Sequence, residues 1–274
     1  MVFHNPLKNE KSSNIYFGSI KNPNAKTAII FIHGLVGSRR YWNKTYQNLS
    51  QKYSLYFIDL LGFGFSAKPK ANYILETHIK ALKKFVDKEV EEDTVILVGH
   101  SLGAIIALSY TSTYLQKVER AYLLALPYYH SEEEAKEHIK LTTFPSYFVV
   151  DTIWLKILCN TFCYFGGPIS RRVVPIFAHG LPKETISDSF LHTYNSYIST
   201  LYNVLYKQNI PSLLPDKVRK KLVLIHGEQD KTVPIQNVRE LARNYKLELV
   251  VLSNQGHKFP IDKAGEITKI LNTD

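Results

Sequence analysis

The segment that most constrains the fold is a serine pentapeptide, Gly99-His100-Ser101-Leu102-Gly103, which lies between two apolar stretches. Residues 94–98 are rich in β-branched side chains and predict a strand, and residues 104–110 predict a helix. A serine at the apex of so tight a turn needs small neighbours, which the two glycines provide. The helix N-terminus would direct backbone N–H groups toward an oxyanion formed beside the serine. The pattern therefore predicts a turn that presents Ser101 as a nucleophile.

Similar apolar runs recur along the chain and alternate with helix-like segments. Continuous apolar runs are typical of strands buried on both faces, and strand–helix alternation predicts a mostly parallel central sheet flanked by helices. We therefore expect an α/β fold. The predicted strands are residues 14–20, 27–32, 53–58, 94–98, 121–125, 221–225 and 248–252, and the predicted helices are residues 39–50, 73–90, 104–110, 235–245 and 261–271.

The alternation stops between residues 127 and 210. This stretch contains an apolar segment, residues 147–165, but Asp151 and Lys156 lie inside it and make a membrane span costly. We predict instead a helical cap over residues 127–210, inserted into a core domain formed by residues 1–126 and 211–274. Cap side chains would line an apolar substrate pocket. The candidate pocket residues are His33, Tyr128, Trp154 and Phe162.

Composition and charge narrow the classes of partner. The chain has 274 residues, of which 45% are hydrophobic and 21% charged, an ordinary balance that suits a globular domain with a substantial core. Its formal net charge of +10 favours anionic surfaces, but lysines and arginines are scattered and no nucleic-acid-binding signature is present. We expect no nucleic-acid partner and keep peripheral contact with an anionic membrane as an open alternative.

The termini and cysteines add two further expectations. The first residues lack a basic segment followed by an apolar one, so we expect no signal peptide and a cytoplasmic protein. Cys159 and Cys163 are the only cysteines and are spaced by one helical turn, without further ligands nearby. We therefore expect neither a disulfide framework nor a metal site.

A neutral serine needs a base to accept its proton, and the base needs an orienting carboxylate. His257 follows a predicted strand and a glycine, at the edge of the sheet where Ser101 is expected. His33 belongs to a turn, where a structural hydrogen-bonding role fits better, and His100 is too close in sequence to reach the serine hydroxyl. His226 is expected to pack at a strand end. The sequence therefore favours His257 as the base.

The acid is expected after the strand at residues 221–225. Asp230 follows that strand, with Glu228 as its nearest competitor. Asp59 ends another strand but is expected to fix the glycine-containing loop that follows it. The order Ser101, Asp230, His257 is therefore the predicted triad.

Five motifs occur in order, and together they resemble the α/β-hydrolase superfamily in its helical-cap branch. They are His33-Gly34, Asp59-Leu60-Leu61-Gly62-Phe63-Gly64-Phe65-Ser66, the serine pentapeptide, His226-Gly227-x-x-Asp230 and Gly256-His257. The resemblance implies an α/β-hydrolase fold, an oxyanion hole formed by the backbone N–H groups of Leu35 and Leu102, and no cofactor. Dehalogenases and epoxide hydrolases of this fold have aspartate where this chain has Ser101, which argues against both activities.

The resemblance implies acyl transfer, and our leading hypothesis is a serine hydrolase that cleaves a carboxylic ester with an apolar acyl or alcohol part. Carbon–carbon hydrolases of dienoic diketo acids, thioesterases and lactonases share these motifs. A carbon–carbon hydrolase would need cations for the substrate carboxylate, and the sequence alone does not place Arg39, Arg40, Arg171 or Arg172 near the pocket. Two further alternatives stay open, a ligand-binding receptor without turnover and a peripheral membrane lipase with a basic surface.

Overall fold

A seven-stranded sheet forms the centre of the molecule in the computed structural model, which describes residues 14–42, 44–142, 157, 167–177 and 181–273. The strand order is β1-β3-β2-β4-β5-β6-β7; β1 pairs antiparallel with β3, and every other pairing is parallel. The predicted, mostly parallel sheet is therefore confirmed. The strands are β1 (Tyr16–Ile20), β2 (Thr27–Ile32), β3 (Ser54–Asp59), β4 (Thr94–His100), β5 (Val118–Leu124), β6 (Leu222–Gly227) and β7 (Glu248–Leu252).

Both faces of the sheet are covered, which explains the continuous apolar runs. In β2, Ile30 and Ile32 pack into one core layer, whereas Ile29 and Phe31 pack into the other. All four side chains are fully buried. Successive side chains of a strand point to opposite faces, so a strand covered on both sides needs apolar residues at every position.

Helices form the two outer layers. On one face α1, α2 and α8 contribute to the larger core, and on the other face the Lys44–Gln51 segment and α10 contribute to the second. The helices are α1 (Leu75–Glu89), α2 (Leu102–Thr113), α3 (Glu132–Thr142), α4 (Gly167–Phe177), α5 (Lys183–Asp188), α6 (Tyr194–Thr200), α7 (Asp216–Arg219), α8 (Ile235–Tyr245), α9 (Phe259–Asp262) and α10 (Ala264–Leu271). Short 3₁₀ segments cover Arg39–Tyr41, Lys44–Gln51 and Pro211–Leu213, and Leu201–Tyr206 is π-helical.

Two predicted helices are each divided in the structure. The prediction of one helix over residues 39–50 is wrong, because the 3₁₀ turn that starts at Arg39 ends at Trp42, whose backbone is extended (φ −83°, ψ 114°). The Arg39 backbone N–H donates to the Asp59 carboxylate (2.5 Å), which ties the start of this segment to β3. The predicted helix at residues 261–271 is divided at Lys263 into α9 and α10.

The described regular elements between β5 and α7 are all helical, and no described residue of this stretch lies in a strand. Its last part is continuous with the core, since Leu201 and Leu205 pack into the larger apolar cluster. The Ser196 hydroxyl also donates to the Gly62 carbonyl (2.8 Å). The boundaries of a cap at residues 127–210 stay a prediction.

Parts of this insertion fall outside the described residues. Except for Ile157, the apolar segment 147–165 does, and with it Trp154, Phe162 and both cysteines. Of the helices that the structure describes, none has the length and apolarity needed to cross a bilayer.

The register of the sheet brings the functional motifs to one edge. Ile32 pairs with Gly99, His100 with Leu124, and Gly227 with Leu252, so β2, β4, β5, β6 and β7 all end at similar height. In an open α/β sheet, the loops beyond the carboxyl ends of the strands are where ligands bind. The residues that follow β2, β4, β6 and β7 therefore belong to one cluster.

Candidate active site

Ser101 is the single residue between β4 and α2. Its backbone has φ 54° and ψ −118°, a conformation that is costly for a residue with a side chain. The turn is held by hydrogen bonds from the Ser101 N–H to the Leu124 carbonyl (2.9 Å) and from the Ala104 N–H to the Ser101 carbonyl (2.8 Å). The predicted strand–turn–helix geometry with a strained serine at its apex is confirmed.

The two glycines that flank Ser101 are required by close backbone contacts. A Cβ atom on Gly99 would collide with the Gly103 carbonyl, and a Cβ atom on Gly103 would collide with the Ile32 carbonyl at the end of β2. The second contact shows that the start of α2 packs against the neighbouring strand β2. The predicted need for small residues at both positions is confirmed.

The turn that follows β2 lies directly beside the serine. A Cβ atom on Gly34 would lie 3.4 Å from the Ser101 Cβ, and the Gly37 N–H closes the turn by donating to the Gly34 carbonyl (3.1 Å). Between them, Leu35 is partly buried and Val36 has a positive φ of 52°. Leu102 begins α2, where backbone N–H groups have no partner within the helix. The assignment of the Leu35 and Leu102 backbone N–H groups to an oxyanion hole stays a prediction.

Asp230 and His257 form a direct pair. The His257 Nδ1 lies 2.7 Å from Asp230 Oδ2, while Asp230 Oδ1 accepts from the backbone N–H groups of Thr232 (2.8 Å) and Val233 (3.0 Å). The Asp230 side chain is fully buried, whereas that of His257 is 23% exposed. Burial alone would raise the pKa of Asp230, but the charge and hydrogen bond of His257 outweigh it and the pKa is lowered. The carboxylate is therefore held ionised with one oxygen on the imidazole.

His100 connects this pair to the serine turn. Its Nε2 lies 3.0 Å from the His257 carbonyl oxygen, and the two rings are 4.8 Å apart between centroids. The His100 ring also stacks on Tyr41, with 4.9 Å between the ring centroids. Burial lowers the pKa of His100 well below its usual value, so the ring is neutral and donates from Nε2. His100, the residue that directly precedes Ser101, thus fixes the backbone of His257 beside the serine turn.

The rival histidines are occupied elsewhere. His33 is fully buried; its Nδ1 donates to the Gly34 carbonyl (2.7 Å) and its Nε2 accepts from the Leu60 N–H (2.9 Å). These are the contacts of a residue that holds the turn in place, and His33 as a pocket residue stays a prediction. The His226 Nε2 lies 3.0 Å from the Val233 carbonyl, and the residue is also fully buried.

The rival acids are also accounted for. The Asp59 carboxylate accepts from the Phe65 N–H (2.7 Å) and a Cβ atom on Gly64 would collide with it, so it fixes the loop after β3, as predicted. Glu228 is exposed, and its one described hydrogen bond comes from the Asn254 N–H at 3.4 Å.

The predicted pocket residues are only partly described. Tyr128 is half-buried at the end of β5, where its carbonyl accepts from the Asn237 side chain (3.1 Å). Trp154 and Phe162 lie outside the described residues. A separate cavity of about 430 Å³ runs along α1, but it contains none of the residues at the strand ends, so we do not assign the chemistry to it. Its lining residues are Lys80, Lys83, Lys84, Asp87, Lys88 and Tyr114.

The sequence reasoning missed Asp188, at the end of α5. This fully buried carboxylate accepts from the Ser38 hydroxyl (2.7 Å) and from Arg40 Nε (2.6 Å), with a second contact to Arg40 Nη2. Ser38 directly follows the turn that carries Leu35, so Asp188 holds this turn from the insertion. No motif surrounds Asp188, and 148 residues separate it from Arg40. No sequence signal could therefore have linked them.

Metal ligation was also tested on the described residues. Within them, no group of three or more histidine, cysteine or acidic side chains is arranged to hold a metal ion.

Comparison with known proteins identifies relatives of this chain. It is 26% identical over 255 residues to "Probable lysophospholipase BODYGUARD 3" of Arabidopsis thaliana, covering 82% of this chain and 51% of that protein. "Probable lysophospholipase BODYGUARD 4" of the same plant is 26% identical over 267 residues, covering 90% of this chain and 63% of that protein. The chain thus spans about half to two thirds of the length of these relatives.

Solved structures agree on the fold. An esterase (EaEST) from Exiguobacterium antarcticum superposes with a TM-score of 0.69 at 19% identity, over 94% of each chain. The enol-lactonase from Burkholderia xenovorans LB400 superposes with a TM-score of 0.70 at 17% identity, over 94% of this chain and 95% of that one. The model of the α/β-hydrolase fold family matches residues 27–148, from β2 through the serine turn and beyond β5. The chain therefore has the α/β-hydrolase fold, as its five sequence motifs predict.

Proposed function

We propose that this protein is a serine hydrolase that cleaves a carboxylic ester by way of a covalent acyl-enzyme. The observation that carries the proposal is the 2.7 Å contact between His257 Nδ1 and Asp230 Oδ2, held beside a strained serine turn. A buried carboxylate, an imidazole and a half-buried serine at a helix N-terminus are the parts that acyl transfer needs.

His257 would act as the base through Nε2. Because Nδ1 donates its proton to Asp230, the lone pair of the neutral ring lies on Nε2. Ser101 Oγ attacks the ester carbonyl as His257 takes the hydroxyl proton, and the same proton then passes to the leaving alcohol. Water repeats the cycle on the acyl-enzyme and releases the acid. No cofactor enters this scheme.

Asp230 would stabilise the imidazolium that forms at His257. The lowered pKa of Asp230 supports this role, since the carboxylate stays charged throughout the working pH range. Its two backbone hydrogen bonds, from Thr232 and Val233, prevent the carboxylate from rotating away from the imidazole.

The backbone N–H groups of Leu35 and Leu102 would bind the tetrahedral oxyanion. Leu102 stands at the N-terminus of α2, where unpaired N–H groups and the helix dipole favour negative charge. A Cβ atom on Gly34 would lie 3.4 Å from the Ser101 Cβ. This proximity supports a second N–H donor from the turn that carries Leu35.

For the substrate, we propose an ester with one long apolar acyl chain, of the lysophospholipid class. The printed names of two relatives with 26% identity support this class. The predicted pocket, with Tyr128, Trp154 and Phe162 among its candidate residues, would hold the acyl chain.

One contact pattern weakens the alternative of a carbon–carbon hydrolase. Such an enzyme needs cations for the substrate carboxylate, but Arg39 is paired with Asp59 (3.3 Å) and Arg40 with Asp188. Arg171 lies 3.8 Å from the same Asp188, so three of the four candidate arginines are paired with carboxylates whose side chains are fully buried.

The test is labelling of the pure protein with a fluorophosphonate, followed by turnover of p-nitrophenyl esters of rising chain length and of lysophosphatidylcholine. We expect Ser101→Ala to abolish labelling and turnover, and the exposed control Ser253→Ala to retain both. Labelling without turnover would favour the receptor alternative. Faster turnover of acyl thioesters or lactones than of any ester would replace the ester assignment, and a folded protein that does not label would remove the serine mechanism.

A further inference from the structure

The outer face of α4 is unusually apolar for a helix at the surface. Ile169, Val173 and Ile176 are spaced four and three residues apart, which puts them on one face. They are 70%, 44% and 63% exposed, respectively. An ordinary surface helix turns such an apolar stripe toward the core, whereas α4 turns it toward solvent.

The orientation of α4 is set by contacts on its other face. Ser170 and Pro175 are buried, and Arg171 lies over the Phe65 ring, with its guanidinium carbon 5.5 Å from the centroid. Arg171 Nη2 also lies 3.8 Å from the Asp188 carboxylate on α5. The inner side of the helix is thus attached by polar and aromatic contacts, which leaves the isoleucines and the valine outside.

Most of the exposed large apolar side chains lie in α4 or near it along the chain. Ile157 and Leu181, on either side of α4 in the chain, are 49% and 36% exposed. Across the part of the chain that the structure describes, the other large hydrophobic residues exposed to this degree are Phe65, which contacts Arg171, and Ile74. Clustered exposed apolar groups mark interaction sites, whereas isolated ones carry no such meaning.

Charge selects the kind of partner. Arg172 is exposed at the edge of the same face, and the nearby start of α5 exposes Lys183 and Glu184. The chain carries a formal net charge of +10. Two copies of so basic a chain repel each other, whereas an anionic lipid surface attracts it and also accepts apolar side chains.

We propose that the face formed by Ile169, Arg172, Val173 and Ile176 docks on an anionic lipid–water interface. The isoleucines and the valine enter the boundary between head groups and acyl chains, and Arg172 pairs with lipid phosphate. Docking of this face is a property separate from the proposed hydrolysis, and lipid binding can be measured without an activity assay. On the inner side of α4, Arg171 contacts Asp188, and Asp188 in turn holds Ser38 and Arg40 beside the turn at Leu35. The docking face is therefore linked to the candidate site through two successive side-chain contacts.

The test is sedimentation with vesicles of phosphatidylcholine alone or mixed with phosphatidylglycerol, at low and high NaCl. We expect wild type to bind the anionic vesicles at low salt and to be released by high salt. The double variant Ile169→Ser/Ile176→Ser should bind at least about tenfold more weakly, because two large apolar side chains no longer enter the lipid. Arg172→Gln should weaken binding to anionic vesicles about fivefold, since one basic residue contributes about that factor.

Ile74→Ser is the matched control, because Ile74 is an exposed isoleucine away from this face, and it should bind as wild type does. Fluorophosphonate labelling of each variant reports an intact serine site, so a failed docking proposal and a failed hydrolase proposal give different results. The proposal is overturned if wild type ignores anionic vesicles, if the double variant binds equally well, or if light scattering shows a dimer that the double variant loses.

Discussion

Two of the fully buried carboxylates in this part of the molecule, Asp230 and Asp188, have different partners. Asp230, between β6 and α8, accepts from two backbone N–H groups and from His257. Asp188, at the end of α5, accepts from the Ser38 hydroxyl and from the Arg40 guanidinium. One carboxylate thus faces an imidazole, and the other faces a guanidinium.

This difference separates a pair suited to chemistry from a pair suited to holding structure. The Arg40 guanidinium is always charged, and its hydrogen bond with Asp188 raises its pKa further, so Arg40 does not exchange a proton with Asp188. At Asp230 the negative charge is balanced in full only when His257 accepts a proton. We therefore propose that Asp230 acts during the reaction and that Asp188 acts through the position of the turn.

The largest expected effect is that of Asp230→Asn on turnover. Asparagine keeps the shape but removes the charge that stabilises the imidazolium, so kcat should fall by about 10⁴-fold with the fold intact. The measurement is kcat on the best ester, with near-ultraviolet circular dichroism to report the fold. A loss smaller than about tenfold would mean that another carboxylate is the acid.

Asp188→Ala should act mainly on stability and only secondarily on turnover. It leaves Arg40 without its partner, and we expect a loss of about 2 to 4 kcal/mol in the free energy of unfolding. Because the Arg40 side chain is 36% exposed, we expect a smaller loss of stability than for a fully buried ion pair. A shifted turn beside Ser101 should also reduce kcat by about ten- to a hundredfold.

Urea unfolding and kcat of the same preparation test the second prediction. The matched control is Asp87→Asn on α1, an exposed acid paired with Lys83, which should change stability by less than about 0.5 kcal/mol. If Asp188→Ala loses turnover as Asp230→Asn does while keeping full stability, the distinction between the two carboxylates fails.

A third effect tests whether buried histidines, rather than either carboxylate, set the stability in mild acid. Burial, with a smaller contribution from the nearby His33, lowers the pKa of His78 to about 4. In the unfolded chain the pKa of histidine is near 6.5, so unfolding at lower pH is accompanied by the uptake of a proton at His78. The contribution of neutral His78 to stability is therefore complete above pH 6.5 and is lost as pH falls toward 4. The contribution of Asp230, whose pKa is also lowered, disappears only at lower pH, below the range of free carboxyl groups.

His78→Gln should reduce this acid sensitivity by about 2 to 3 kcal/mol between pH 6.5 and 4. Glutamine can keep a hydrogen bond to the Thr200 hydroxyl, which lies 3.2 Å from His78 Nε2, but it does not titrate. The free energy of unfolding in urea, measured across this range, checks the prediction. An unchanged pH profile would assign the sensitivity to His33, His100 or His226 instead.

The smallest effect is expected for Glu228→Gln, the rival acid of the site. Glu228 is exposed and accepts one long hydrogen bond, so the change should alter stability by less than about 0.5 kcal/mol and kcat by less than about twofold. Measured beside Asp230→Asn, it asks whether two acids separated by one residue have different roles. A large loss of turnover in Glu228→Gln would reverse the assignment.

Much of the fold could be predicted because it depends on local pattern. The strand at residues 27–32 and the helix at residues 235–245 were predicted with the bounds that the structure gives them. The segment at residues 39–50 was not, because Arg39 and Arg40 are held by carboxylates that lie far away in sequence. An apolar run determines its own strand, but a polar segment takes the conformation that its distant partners impose.

The sequence by itself determined the sheet, the serine turn and the order of the three candidate triad residues, since each depends on neighbouring residues or on the ends of buried strands. Only the tertiary structure decided how Asp188 supports the turn at Leu35, how His100 fixes His257, and which face of α4 is left outside. These contacts join residues far apart in the chain, and their geometry depends on how whole helices pack. A periodic pattern describes one element at a time and carries no information about such pairings.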